Sequence, residues 1–417
     1  MKLSRREFLI KSTALLATLG LSGPLGWIGE SKRGFASDAV PKEQEQSDGG
    51  PTTLVVVQLS GGNDGINTLI PYGFGGYYDA RPTLRITEDQ VLAIDGKVGL
   101  HPSLTGLYGL YEQGVLAIIQ GVGYPNPNRS HFRSMEIWHT AEPENYIQSG
   151  WLARYIESSL AKDDNPLRAV QIGLSANKSF NSEKIGVPLI KSIESYNLVD
   201  PMMSRMEQNR IVKAFLDMYD PERRGTHVTV ACERGMQAYE SVEAIHALTD
   251  AYQNKVEYPN TNFAKDLQLA VKLLAGGSRS RVLYVDLGGF DDHAAEKEQH
   301  AKLLKQMDEG LTAFYRDLEV QGLQDRVAVM VFSEFGRRVK ENGSGGTDHG
   351  TAAPVLVFGG KVKGGLYGVY PSLTELDQGD LKYQIDFRSV YYTLVEDWLK
   401  GDAKSVLGKS YEKLGFV

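Results

Sequence analysis

One cysteine, Cys232, stands in the 417 residues, so no intramolecular disulfide framework is available in any compartment. Its neighbours over 228–231, Val-Thr-Val-Ala, mark it as a small side chain packed on an element rather than a reactive thiol. Beyond the N-terminus no apolar run is long enough to cross a bilayer. Net positive charge is lacking too: the formal charge is −7, which argues against general nucleic-acid binding. There is no Gly-x-Ser-x-Gly elbow, so a conventional serine hydrolase has weak support. Internal repeats and low-complexity blocks are also missing.

What is present begins at the N-terminus. Ser4-Arg5-Arg6-Glu7-Phe8-Leu9-Ile10-Lys11 precedes a mildly apolar stretch, the pattern of a twin-arginine export signal over 1–36, with small residues at Gly34 and Ala36 for cleavage. Gly20, Gly23 and Pro24 interrupt the apolar stretch and make it a poor permanent span. Cleavage removes six basic and two acidic residues and moves the formal charge from −7 to −11. The expectation is a periplasmic or secreted protein that meets the twin-arginine export machinery, with no stable membrane span and no nucleic-acid partner. Residues 37–52 are polar and nearly free of large apolar groups, as in a flexible linker. Residues 53–417 then suffice for a single large domain.

Short continuous apolar runs recur at 54–59, 115–119, 169–172, 282–287, 327–332 and 354–358. Their lack of polar alternation suits strands buried on both faces, the habit of parallel sheets. Between them, Leu303, Met307, Leu311, Phe314 and Leu318 recur at helical spacing within 294–320. Further helical patterns cover 205–217, 236–252 and 263–275, and Asp386 is placed to cap a closing helix. These patterns predict a three-layer α/β domain, a mostly parallel sheet with helices on both faces, and a helical insertion over about 200–276.

Four of the strands deliver metal-friendly side chains at or beyond their C-terminal ends, where ligands of open parallel sheets sit. Asp64 lies in a glycine-flanked turn after the first strand, where it presents a carboxylate or simply caps the backbone. Ser130 precedes a helix-like stretch, a setting for a nucleophile beside an anion and equally for an ordinary cap. Asp291 and His293 follow the run at 282–287, and His300, seven residues on, shares a helix face with His293. Glu334 ends another strand beside Arg337, a carboxylate for metal next to a guanidinium for an oxyanion, or an ion pair holding a loop. Asp348 and His349 end a glycine-rich loop before 354–358, suited to coordination or to orienting a ligand.

Together with Arg81-Pro82-Thr83-Leu84, Leu100-His101-Pro102 and Arg129-Ser130-His131-Phe132, these motifs make the chain resemble the exported family called domain of unknown function fifteen hundred and one. That family is similar, more remotely, to the alkaline phosphatase and sulfatase superfamily. The resemblance implies an alkaline-phosphatase-like fold, with Asp64 as the early aspartate, Ser130 as nucleophile, Asp291 and His293 as an Asp/His pair, and His349 as the late histidine. Glu334-Phe335 departs from the superfamily's Asp-His at that point. Asp291 and His293 are also spaced more tightly than usual, which leaves His300 as an alternative ligand. The implied activity is metal-dependent hydrolysis of phosphate or sulfate esters, with divalent zinc, manganese, magnesium or calcium as cofactor and Arg337 steadying the oxyanion. The competing expectation is a non-catalytic periplasmic binding or scaffold protein on a degenerate hydrolase fold, holding an anionic or cell-envelope ligand. A third is a metal-free esterase using Ser130 with His131 or His349.

Overall fold

The computed structural model describes residues 50–192, 195–198, 200, 202–219, 229–249, 252 and 254–417. The export signal expected over 1–36 and the linker as far as 49 lie outside the described residues.

Twelve strands are described: β1 (Thr53–Ser60), β2 (Leu69–Ile70), β3 (Leu92–Ala93), β4 (Gly99–Leu100), β5 (Leu116–Gly123), β6 (Ala169–Ile172), β7 (Leu189–Ile190), β8 (Val282–Gly288), β9 (Val327–Ser333), β10 (Ala353–Phe358), β11 (Gly365–Tyr367) and β12 (Ile385–Asp386). Nine form the main sheet in the order β11-β5-β10-β9-β1-β8-β6-β7, with β12 also beside β5, while β2, β4 and β3 make a small separate sheet. Pairing in the main sheet is parallel except that β10 runs against both neighbours. Each apolar run picked out above is one of its six central strands.

Both faces are covered because successive side chains of an extended strand point to opposite sides. Val55, Val57 and Leu59 of β1 enter one core, and Leu54 and Val56 the other. Over the first face lie the helices α1 (Thr105–Glu112), α6 (Asn262–Ala275) and α7 (Glu296–Val320); over the second lie α2 (His131–Thr140), α3 (Trp151–Ser159) and α8 (Phe387–Thr393). The stripe read from the sequence is the buried face of α7, where Leu304, Met307, Leu311 and Phe314 are fully enclosed. Truncating one of them, Leu311→Ala for example, removes contacts that cost about 2 to 5 kcal/mol to lose. Asp386 caps α8 through the Arg388 amide, as its position predicts.

In the middle of the chain, α4 (Arg205–Tyr219) and α5 (Thr229–Thr249) pack around buried Cys232, Phe215 and Tyr219. α5 also sends Ala238, Val242 and Ile245 into the core over the first face, which α6 helps to cover. Among the described residues no helix is long and apolar enough to cross a membrane.

What positions the site is the register of the centre. Ser60 lies opposite Gly288, and Leu59 opposite Ser333, so β1, β8 and β9 end side by side. The loops that leave them start from one edge of the sheet.

Candidate metal centre

Close backbone contact brings those loops together. Gly61 sits at φ +120°, and a Cβ there would stand 2.5 Å from the Asp291 amide nitrogen, so only glycine lets the loops after β1 and β8 touch. Buried Arg337 then laces them: its Nε donates to the Gly62 carbonyl at 2.6 Å, Nη1 to Thr347 O at 3.0 Å, and Nη2 to Phe290 O at 2.8 Å and Asp291 Oδ1 at 3.0 Å. A β-bridge between Arg337 and His349 draws in the loop before β10. From the other side comes α2; Arg129, just ahead of its cap Ser130, is fixed to buried Asp380 through Nε at 2.7 Å.

These loops deliver three imidazoles to one carboxylate oxygen. Asp291 Oδ1 lies 2.9 Å from His293 Nε2, 3.0 Å from His349 Nε2 and 3.3 Å from His131 Nε2. Ligand atoms of His131, Asp291 and His349 all fall within 4.8 Å of one another. The rings of His131 and His349 pack at 4.3 Å between centroids, each also against Phe335.

Hydrogen bonding on the far side of two rings sets their tautomers. His349 Nδ1 lies 2.8 Å from the Arg129 carbonyl, which can only accept, so that nitrogen carries the proton. His131 Nδ1 lies 2.8 Å from Oε1 of fully buried Glu334, which also accepts the Gly61 amide at 2.9 Å. In their neutral forms both rings therefore aim an Nε2 lone pair at Asp291, itself an acceptor. His131 Nε2 is buried and makes no hydrogen bond. Lone pairs facing a carboxylate across about 3 Å repel unless a proton or a metal ion lies between them. The donor set, three imidazoles and a carboxylate, suits zinc or manganese better than calcium or magnesium, which prefer all-oxygen shells.

Electrostatics agree with the geometry. The Glu334 hydrogen bond raises His131 above its ordinary value against the pull of burial, and the Asp291 charge adds to it. For Asp291, burial acts to raise the carboxyl, but the bonds from His349 and Arg337 and the charge of His131 outweigh it and hold it below the usual carboxylate range.

Not every residue expected at the site reaches it. Asp291, His293 and His349 do. Glu334 stands behind His131 as its hydrogen-bond partner instead of facing the cluster. Asp348 is exposed, 3.8 Å from His293 Nδ1 and 3.3 Å from Asn342 Nδ2. Ser130 caps α2 exposed at its start, between the Arg129 carbonyl and His131, with its amide held by Asn128 Oδ1 at 2.8 Å and its hydroxyl free of any capping bond.

Three residues are corrected. Asp64 turns away and gives both carboxylate oxygens to buried Arg81, one at 2.9 Å. Burial would raise it, yet the Arg81 charge and hydrogen bonds lower it to about 2. His300 does lie on the α7 stripe, but its Nε2 meets buried Asn63 at 2.9 Å, and burial lowers the ring to about 4, so it is a core imidazole. Arg337 is no free oxyanion clamp, since its N–H groups are taken by loop carbonyls and Asp291. The residue of this cluster that the sequence did not single out for metal is His131. It stood in view next to Ser130 at a helix start, but nothing in the sequence says which strand tip that helix faces.

Fold and site together define a three-layer α/β protein with a candidate metal centre at the C-terminal tips of its central strands. Residues 117–394 match the family model described as "Protein of unknown function (DUF1501)", and the chain belongs to that family. No curated protein matches it. Among solved structures it is similar to a protein in the alkaline phosphatase superfamily from Vibrio parahaemolyticus, at TM-score 0.39 and 11% identity over 87% of this chain and 70% of that one. The C-terminal periplasmic domain of EcEptC from Escherichia coli gives 0.37 and 12% over 89% and 90%. The lipoteichoic acid synthase LtaP from Listeria monocytogenes gives 0.35 and 9% over 88% and 74%. At such scores the backbones overlap loosely.

Proposed function

We propose that this protein is an exported metal-dependent hydrolase of phosphate or sulfate esters, with one divalent cation held by His131, Asp291, His293 and His349. The observation that carries the reading is the convergence of three imidazole Nε2 atoms on Asp291 Oδ1, two of them with the tautomer that leaves a lone pair for metal. A cation bound there supplies charge neutralisation for an ester oxygen. The chain's own residues do the rest. Ser130, exposed at the start of α2 and next in sequence to His131, supplies a hydroxyl as the nucleophile for phosphorus or sulfur. The first-turn amides of α2, whose first residue is His131, suit an anion. Glu334 holds His131 in register from behind. Export by the twin-arginine route belongs to the same proposal and rests on the Arg5-Arg6 motif.

A binding protein without turnover is the competing reading. It is favoured by Phe335, whose ring packs against both His131 and His349 at 4.9 and 4.8 Å and leaves room for fewer metal ligands there. Metal analysis of protein purified from its native compartment, with assays on aryl phosphates and aryl sulfates, separates the two. The hydrolase reading expects near-stoichiometric metal, ester cleavage, and a Ser130→Ala variant that keeps the metal but loses turnover by a hundredfold or more. Metal-free protein with no cleavage across the panel would leave the binding reading in its place.

A further inference from the structure

Beside the metal centre, a cleft of about 940 Å³ opens over the C-terminal ends of β1, β6 and β8. Ser60 and Gly288 line it, and both lead within a few residues to the metal loops: Gly61 donates to Glu334, and Asp291 follows Gly288 by three positions. The cleft and the metal centre thus share one sheet edge.

Its floor is a built polar network. Buried His139, through Nε2 at 2.7 Å, Tyr284 through its hydroxyl, and Asn177 Nδ2 at 3.3 Å all converge on Gln58 Oε1. Gln58 Nε2 and the Ser60 hydroxyl then both reach Asp286 Oδ2, the first at 3.1 Å and the second at 2.5 Å. Asp286 Oδ1 has no partner among the described residues, and neither does the carboxylate of Asp266 on α6, which lines the same cleft. Burial, and then the charge of Asp286, raise Asp266 to about 6, so the two carboxylates sense each other.

Carboxylates interleaved with amides and hydroxyls offer paired acceptors and donors, the requirement for recognising hydroxyl groups. Lys191, Lys265 and Lys272 line the cleft beside Asp266 and Asp286, so it carries charges of both signs that suit no one ionic ligand, and an apolar chain would leave the network unsatisfied. We infer that the cleft holds an uncharged polyhydroxylated group, a sugar ring or a short run of them, which carries the ester presented to the metal centre. Only the ester linkage rests on the hydrolase reading; saccharide binding by the cleft does not require it.

The test is calorimetric titration of the metal-loaded full chain with short neutral oligosaccharides built from hexose and N-acetylhexosamine units, free of phosphate and sulfate. Saturable one-to-one binding of at least one of them is expected. Asp286→Asn and, independently, Asp266→Ala should each weaken it about tenfold or more while leaving metal content unchanged. Asp266 lies on a half-exposed helix face, so that variant keeps the test open where Asp286→Asn disturbs folding. No binding across the panel, or binding indifferent to both variants, overturns the inference. So does inorganic phosphate that binds the cleft and binds it more tightly in Asp286→Asn. Saccharide binding without aryl ester cleavage sinks the hydrolase reading alone; aryl ester cleavage without saccharide binding sinks the cleft alone.

Discussion

Glu334 Oε1 lies 2.8 Å from His131 Nδ1, and the same oxygen accepts the Gly61 amide at 2.9 Å. One buried carboxylate therefore ties the tip of β1 to the start of α2 and decides which His131 nitrogen faces Asp291. A carboxylate behind a metal-binding imidazole fixes ring orientation and raises its basicity. Glu334→Gln keeps the volume and the packing but weakens that pull. Metal affinity should fall roughly tenfold to a hundredfold, read by competition with a chromogenic chelator. A wild-type affinity would show that Glu334 is not oriented toward metal binding at all.

Arg337 yields a different kind of prediction, because its partners are structural. Its guanidinium satisfies carbonyls of Gly61, Gly62, Phe290 and Thr347 and sits almost wholly out of water. Replacing it with Met strands those acceptors, each at a cost of about 1 to 3 kcal/mol where water cannot reach. Arg337→Met should lower the melting temperature markedly, and Arg337→Lys should rescue little, since an ammonium cannot reproduce the planar fork. Unchanged melting with lost ester cleavage would instead return Arg337 to the substrate.

Much of the fold was legible in the sequence because burial on both faces leaves a strong local signature. The run at 54–59 needed no tertiary knowledge to be read as a central strand, and the α7 stripe was visible from Leu303 to Leu318. The site was legible only in part. Asp291, His293 and His349 stand in loops after strands, and their chemistry is written in their residue types. His131 was harder, since its role depends on α2 crossing back over the tips of β1 and β9, a relationship between segments 203 residues apart. Asp64 failed for a related reason: Arg81, its partner, lies 17 residues on in a segment without strand or helix periodicity. His300 shows the limit of periodicity, which gave the right face of α7 but not the buried amide of Asn63 waiting there.

His349 should be the most informative of the candidate ligands. It is partly exposed, with 22% of its side chain accessible, and its Nδ1 bond to the Arg129 carbonyl contributes modestly to the fold. His349→Ala should remove most of the bound metal while the melting temperature of the metal-free protein changes little. Asp348→Asn, by contrast, alters a group 62% exposed and 3.8 Å from His293, and its metal content should stay near wild type. Equal metal loss in both variants would mean that the cation sits nearer the Asp348 side of the loop than the His131 cluster.

His300 separates structural from metal-binding histidines through pH. Burial lowers the ring from its ordinary 6.5 to about 4, with the Arg81 and Arg337 charges adding and Asp64 opposing. Between those values the unfolded chain binds a proton that the folded chain refuses, so the unfolded state holds more protons and stability rises with pH. The ring's contribution is therefore complete above about 6.5, shrinks as the pH falls, and is gone once the folded ring also titrates near 4. The shift corresponds to roughly 3 kcal/mol as an upper figure for a buried group. His300→Gln retains an amide to meet Asn63 but has no such titration. Its unfolding free energy, measured by denaturant titration from pH 7 down to pH 4, should fall less steeply than that of the wild type, with metal content unchanged at pH 7. Parallel curves for the two proteins, or loss of metal in the variant, would place His300 at the metal centre after all.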